Sequence, residues 1–298
     1  MRKIVFQGDG FGDFFMCFKA LYALKQLYPN DKIIAYHRGM PLDFVTKLGF
    51  IDEVVDSSKV TLEQLKHTNP DIFIATARSS EFFKQLQALQ FKKVIAQPHF
   101  ISVTRSYFTT PIPYFKGKLH YSDIYLKLVR SINPKHYDSN IATIDFFKVK
   151  DFLPKDTALI EPFLQSIPFP YTKIVGINAF SNYSEHTGSN LFTKDWIRIA
   201  FELARAYPQF LFVLLNFQSN PIQFNFSLAP RNLKIFINNA SIASLVSVSL
   251  ALDYFITIDT GNLHLCDILQ IPTLGLSRPI TAYRMGGGAT VERMRDSS

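Results

Sequence analysis

Residues 3–13 have the sequence KIVFQGDGFGD, a short apolar strand followed directly by a turn with three glycines. Apolar side chains then recur at near-helical spacing through residues 14–28, until Pro29 ends the pattern. A strand, a glycine turn and a helix in this order predict the first βα unit of a parallel sheet. Glycine lets the backbone turn sharply, and the N-terminus of the helix offers unpaired N–H groups to an anion.

The same alternation of strand and helix extends along the chain in two blocks. In the first block we expect further strands at 32–36, 53–55, 71–75 and 92–96, with helices at 42–48, 62–66 and 81–89. In the second we expect strands at 173–177, 210–215, 233–236, 254–258 and 272–275, with helices at 194–207, 241–250 and 262–269. Residues 97–120 are typical of a long loop, and the proline-rich residues 151–171 of a connection between domains. The alternation predicts an α/β protein with two Rossmann-like, doubly wound domains, residues 1–165 and 166–298, facing a central cleft.

The composition narrows the class of protein. Of the 298 residues, 47% are apolar and 19% are charged, which excludes a disordered chain. The 32 Lys and Arg against 24 Asp and Glu give a net charge of +8, which favours nucleic acid, a membrane surface or a phosphorylated ligand as partner. Cys17 and Cys266 lie far apart without a Cys or His cluster, so we expect no disulfide framework or zinc site. No secretory signal is evident, and we expect a soluble protein in a reducing cytoplasm.

The first candidate site is the glycine turn with Asp13. A dinucleotide-binding fingerprint needs a third glycine where Asp13 stands, and an acidic residue after the second strand, where the chain has His37 and Arg38. An NADP site with Arg38 on the 2′-phosphate therefore remains an alternative. Asp13 could also be a simple helix cap. Its place after a parallel strand instead favours a ligand site, because open α/β sheets bind ligands there.

The second candidate site is the segment 255–264, FITIDTGNLH, in which an apolar strand runs into Asp-Thr-Gly and a helix. Thr260 and Gly261 can present a hydroxyl and backbone N–H groups to a diphosphate, and His264 can add a further donor. The alternative is structural: Asp259 as an N-cap and His264 as a buried histidine.

A third candidate is the basic, aromatic loop that holds Arg105, Lys116 and Lys118, together with Arg78 after the fourth strand. Basic and aromatic side chains mixed in this way can contact an RNA backbone and stack on bases. No RRM, KH or zinc-knuckle signature accompanies them, however. We therefore expect no nucleic acid. The loop is either a ligand-binding surface or an ordinary solvated loop.

Three groups of motifs, in register along nearly the whole chain, resemble the bacterial heptosyltransferases, glycosyltransferase family nine. They are Gly12-Asp13 with residues 23–29, residues 174–181 with 192–204, and residues 258–265 with 271–276. The resemblance implies a GT-B fold and a metal-independent, inverting transfer of heptose from ADP-heptose to the inner core of lipopolysaccharide. It further implies a lipid-linked core oligosaccharide as acceptor, peripheral contact with the inner membrane, and no cofactor.

The resemblance also implies roles for individual residues. Asp13 would be the general base that deprotonates the acceptor hydroxyl. The residues expected to bind the donor are Gly12, Ser181, Lys194, Asp259, Thr260, Gly261 and His264. Those expected to contact the acceptor are Arg78, Arg105, Lys116 and Lys118.

Three features depart from the family pattern. Residues 189–193 hold no basic residue where the family contacts the diphosphate, and Lys194 follows instead. Residues 216–220, NFQSN, lack the usual glycines and acidic residue, so the donor could differ from ADP-heptose. The chain also ends at Ser298, earlier than the resemblance leads us to expect. A catalytically weak or inactive nucleotide-sugar-binding relative therefore remains the second hypothesis.

Overall fold

The computed structural model describes residues 1–77, 79–111, 120–179, 191–217, 228–258 and 260–276. The chain divides into two compact units, Met1–Leu153 and Pro154–Ser298. The division falls earlier than the boundary after residue 165 that the sequence predicts. The reason is visible at residues 156–165. The Asp156 N–H donates to Ser247 Oγ at 2.8 Å, and the Phe163 ring packs on Phe236, so this segment belongs to the second unit.

Within the described residues, the first unit combines a parallel sheet with short helices. Its strands are β1 (Lys3–Asp9), β2 (Lys32–Arg38), β3 (Glu53–Asp56), β4 (Ile72–Ala75), β5 (Val94–Ala96) and β6 (Phe108–Thr109). Its helices are α1 (Phe11–Leu27), α2 (Leu42–Val45), α3 (Leu62–His67), α4 (Ser80–Leu89), α5 (Phe100–Thr104), α6 (Tyr121–Arg130) and α7 (Pro134–Asn140), followed by 3₁₀ helices at Ile141–Thr143 and Phe146–Phe152.

The first sheet has the strand order β3-β2-β1-β4-β5-β6, and all its strands are parallel. This is the order of a Rossmann fold, in which the chain reverses its direction of winding between β1 and β4. The central strand β1 is apolar because helices cover both faces of such a sheet. Its residues Ile4, Val5 and Phe6 are fully buried.

The second unit repeats this plan in the described residues. Its strands are β7 (Lys173–Asn178), β8 (Phe210–Asn216), β9 (Leu233–Ile237), β10 (Tyr254–Ile258) and β11 (Thr273–Leu276). Its helices are α8 (Ile160–Gln165), α9 (Thr193–Ala206), α10 (Ile242–Leu250) and α11 (Gly261–Leu269). The parallel strand order β11-β10-β7-β8-β9 reverses between β7 and β10. Two Rossmann-like α/β units are thereby confirmed.

Two segments that the sequence predicts as irregular contain regular structure. Residues 97–120 include helix α5 and edge strand β6, which pairs with β5 and buries Phe108 in the core. Helix α5 begins at a side-chain cap, because His99 Nδ1 accepts a hydrogen bond from the Ile101 N–H. Residues 151–171 include helix α8. None of the helices in the described part of the chain is both long and apolar enough to cross a membrane.

Candidate functional site

Both predicted motifs lie where a Rossmann sheet forms its ligand crevice, at the carboxyl ends of the strands beside the reversal of winding. In the first unit, the turn with Asp13 follows β1, whose neighbour across the reversal is β4. In the second unit, Thr260 and Gly261 follow β10, which neighbours β7.

The turn after β1 is fixed by two glycines with positive φ. Gly10 has φ 81°, and its N–H donates to the Arg38 carbonyl at 3.0 Å. Gly39, with φ 94°, packs against this turn so closely that a Cβ there would lie 3.1 Å from Gly10 Cα. The turn is therefore held against the end of β2 by backbone contacts that only glycine permits.

Asp13 lies in the first turn of α1, with its side chain exposed. The N-cap of α1 is Gly10, so the interpretation of Asp13 as the cap is wrong. The next residue, Phe14, is fully buried, and Cys17 Sγ donates to the Asp13 carbonyl at 3.4 Å. A buried helix thus presents this carboxylate at the carboxyl edge of the sheet, a geometry suited to a general base.

Gln7 connects the turn after β1 with the turn after β4. Its Oε1 accepts from the N–H groups of Thr76 and Ala77 at 2.9 and 2.8 Å, and its Nε2 donates to Asp9 Oδ2 at 2.9 Å. The side chain is buried, with 2% exposed. Sequence analysis missed this role, although a glutamine inside an apolar strand is a usable signal.

In the second unit, α11 begins at Gly261 with Thr260 as its N-cap, but the Thr260 side chain does not cap the helix. Its Oγ1 instead accepts a hydrogen bond from Asn178 Nδ2 at 3.2 Å. The same Nδ2 donates to Thr257 Oγ1 at 3.0 Å. Among the described residues, the N-terminus of α11 therefore has no side-chain cap, which suits it to bind an anion.

His264 lies on the first turn of α11 and is 4% exposed. This burial fits the structural alternative of a buried histidine.

Lys194 lies on the first turn of α9 and is exposed, with its Nζ 5.7 Å from the centroid of the Phe192 ring. Because α9 follows β7, its first turn lies toward the carboxyl edge of the second sheet.

Arg105 is not brought together with Asp13. It precedes β6, and the Phe108 N–H donates to its carbonyl at 3.2 Å, which places it at the amino edge of the sheet. Tyr107 confirms this placement, since its Oη donates to the carbonyls of Leu86 and Phe91, which both precede β5. Gly12 lies beside Asp13 in α1. Five further predicted residues lie outside the described residues: Arg78, Lys116, Lys118, Ser181 and Asp259.

Among the described residues, no group of three or more His, Cys, Asp or Glu side chains is arranged to hold a metal ion. No family model matches the chain. No curated protein matches it either. The comparison with solved structures does identify the class of fold.

The chain has the fold of glycosyltransferases of the GT-B type. It matches the glycosyl transferase family 9 protein from Veillonella parvula DSM 2008 with TM-score 0.70 and 14% identity, over 100% of this chain and 88% of that one. It matches E. coli ADP-heptose lps heptosyltransferase II with TM-score 0.69 and 12% identity, over 100% and 92% of the two chains. For E. coli heptosyltransferase WaaC with ADP the TM-score is 0.62 and the identity 13%, over 97% and 91%. These similarities confirm, at the level of fold, the resemblance stated from the sequence.

Proposed function

We propose that the protein is a glycosyltransferase that moves a heptose, or a related sugar, from an ADP-sugar to the inner core of lipopolysaccharide. One observation carries the proposal. Each motif lies at the ligand crevice of its own Rossmann unit, in a fold shared with heptosyltransferases. The proposal includes a cytoplasmic location and a lipid-linked acceptor at the inner membrane.

The donor half of the proposal rests on the N-terminus of α11. Its uncapped N–H groups and helix dipole favour the negative charge of a diphosphate. The same groups stabilise the charge that builds up on the departing ADP, so they assist the reaction as well as binding. We assign Thr260 and Gly261 to direct contacts. Further contacts are assigned to Gly12, Ser181, Asp259, Lys194 and His264.

The acceptor half rests on Asp13. Its carboxylate takes the proton of the acceptor hydroxyl as the oxygen attacks the anomeric carbon of the donor sugar. The bond from that carbon to the diphosphate breaks, its electron pair leaves with ADP, and the configuration at the anomeric carbon inverts. This chemistry requires no metal. Arg78, Lys116 and Lys118 are proposed for the acceptor, whereas Arg105 is left out because it lies at the opposite edge of its sheet.

Calorimetric titration with ADP, UDP, GDP, CMP and NADP tests the donor half. We expect ADP to bind selectively and Asp259→Ala to abolish that binding. The matched control is Asp267→Ala, which removes an acid from the last turn of α11, at the end of the helix away from the proposed donor site. Preference for another nucleotide would leave the fold assignment unchanged and indicate a different donor. Binding of NADP alone would support an oxidoreductase. ADP binding without any sugar transfer would identify an inactive relative.

A further inference from the structure

A buried amide side chain lies at the carboxyl end of the central strand in each sheet. Gln7 in β1 is 2% exposed and Asn178 in β7 is 5% exposed. Each bonds across the reversal of winding, Gln7 to Thr76 after β4 and Asn178 to Thr257 in β10. A buried amide is unfavourable unless its hydrogen bonds are made, and central parallel strands are normally apolar throughout. The position therefore calls for a specific role.

The hydrogen bond from the Asn178 amide explains why the Thr260 side chain does not cap α11. Thr260 has the residue type and the extended backbone (φ −145°, ψ 173°) of an N-cap, yet it makes no cap hydrogen bond. Thr61, the N-cap of α3, behaves normally, since its Oγ1 accepts from the Gln64 N–H at 3.2 Å. The difference is that Asn178 Nδ2 donates to Thr260 Oγ1.

This bond has a direct consequence for the helix N-terminus. A threonine hydroxyl that accepts from Asn178 is turned toward the strand and away from the N–H groups of α11. The Leu263 N–H already donates to the Thr260 carbonyl at 3.0 Å, so the N–H groups that the open N-terminus offers to a ligand are those of Gly261 and Asn262. The Thr260 hydroxyl also keeps its own proton to donate. Without Asn178, the hydroxyl is free to rotate and cap the helix, which would occupy one of these donors.

We propose that Asn178 is a positioning residue for donor binding, which acts by holding Thr260 out of the cap so that α11 stays open to a diphosphate. The inference rests on the proposed function, because it concerns the same donor site. It assigns Asn178 no direct contact with the ligand.

Titration of ADP into Asn178→Leu tests the inference. Leucine has a similar volume but releases Thr260, so ADP affinity should fall about tenfold, the scale of one hydrogen bond to a charged group. In a Thr260→Val background, the same substitution should cause no further loss, because Asn178 acts through the hydroxyl. A purely structural role predicts the same effect in both backgrounds.

Two controls separate positioning from stability. Thr257→Val removes the other hydrogen bond of the same amide and should lower the melting temperature without weakening ADP binding. Asn232→Leu removes another buried amide of the second unit, which donates to the Ala204 and Phe210 carbonyls at the amino edge of the sheet, and should also leave ADP affinity unchanged. Should Asn178→Leu fail to fold, Asn178→Ala carries the same test in the same two backgrounds. Alanine also leaves no donor for Thr260 Oγ1, so ADP affinity should fall in the wild-type background and show no further fall in the Thr260→Val background.

The outcomes distinguish failure of the inference about Asn178 from failure of the proposed function. Wild-type affinity in a folded Asn178→Leu or Asn178→Ala protein would overturn the inference alone. Equal loss of affinity in Thr257→Val and Asn178→Leu would overturn it as well. A wild-type protein that binds no nucleotide would overturn the proposed function and the inference together.

Discussion

At the scale of single residues, His37 is a fully buried titratable side chain under the turn that presents Asp13. Its ring stacks on Phe14, the residue after Asp13, with centroids 4.6 Å apart. Among the described residues, neither ring nitrogen has a partner in good hydrogen-bonding geometry. Burial lowers the pKa of His37, while the Arg38 backbone, Asp56 and Asp9 oppose this by smaller amounts.

The lowered pKa predicts how stability depends on pH. In the unfolded chain His37 takes up a proton near the ordinary histidine pKa of 6.5, whereas folded His37 resists protonation. The free energy of unfolding is therefore not reduced by His37 above that pH, and it decreases as the pH drops below it. In His37→Phe, which keeps the stacked ring, the melting temperature should change less between about pH 7.5 and 5.5 than in the wild type. His67→Gln, on the surface, is the control, and an unchanged slope in His37→Phe would contradict the prediction.

Residues differ in how far the sequence reveals their roles. Asp13 and Thr260 stand in local patterns, a strand followed by glycine and an acid or hydroxyl, and such patterns predict their positions. Gln7 and Asn178 bond to partners 69 to 82 residues away, which only the sheet topology brings into contact. An amide inside an apolar strand marks the position, but no local pattern identifies its partners.

At the scale of elements, the turn from β1 to α1 depends on the backbone contact between Gly10 and Gly39. Gly39→Ala places a Cβ 3.1 Å from Gly10 Cα at a φ of 94°, which costs about 1–2 kcal/mol of stability. Because the strain falls on the turn before Asp13, sugar transfer should drop while ADP binding remains. Gly49→Ala is the matched control. Its Cβ would meet only the Phe152 ring, at 2.7 Å, and no atom of the turn before Asp13, so it should lower the melting temperature and spare transfer per folded molecule. Equal transfer by both folded variants would contradict the account.

The strands could be predicted because continuous apolar runs are what a doubly covered parallel sheet requires. No element is predicted over residues 121–140, where the structure has α6 and α7. Two other elements that escaped prediction are short and lie among prolines and aromatics. Helix α5 has five residues and β6 only two, too few to establish a period. Their order comes from contacts instead, namely the His99 cap and the pairing of β6 with β5.

At the scale of the whole molecule, the two units fix their central strands in the same way. At the amino end, Asp71 accepts from the Lys3 N–H and Asp253 from the Ile174 N–H, both at 2.8 Å. At the carboxyl end, a buried amide bonds across the reversal of winding in each unit. Both crevices are thus built on strands held at both ends, which suits sites that need fixed geometry.

The most direct test of the proposed glycosyltransferase is sugar transfer by Asp13→Asn, measured beside ADP binding by the same preparation. The amide keeps the shape of the side chain but cannot take the acceptor proton, so transfer should fall at least about a hundredfold while ADP affinity stays that of the wild type. Glu63→Gln, an exposed acid in the first turn of α3, is the control and should transfer normally. Undiminished transfer by Asp13→Asn would contradict the role of Asp13 as the base and, with it, the account of how this fold acts.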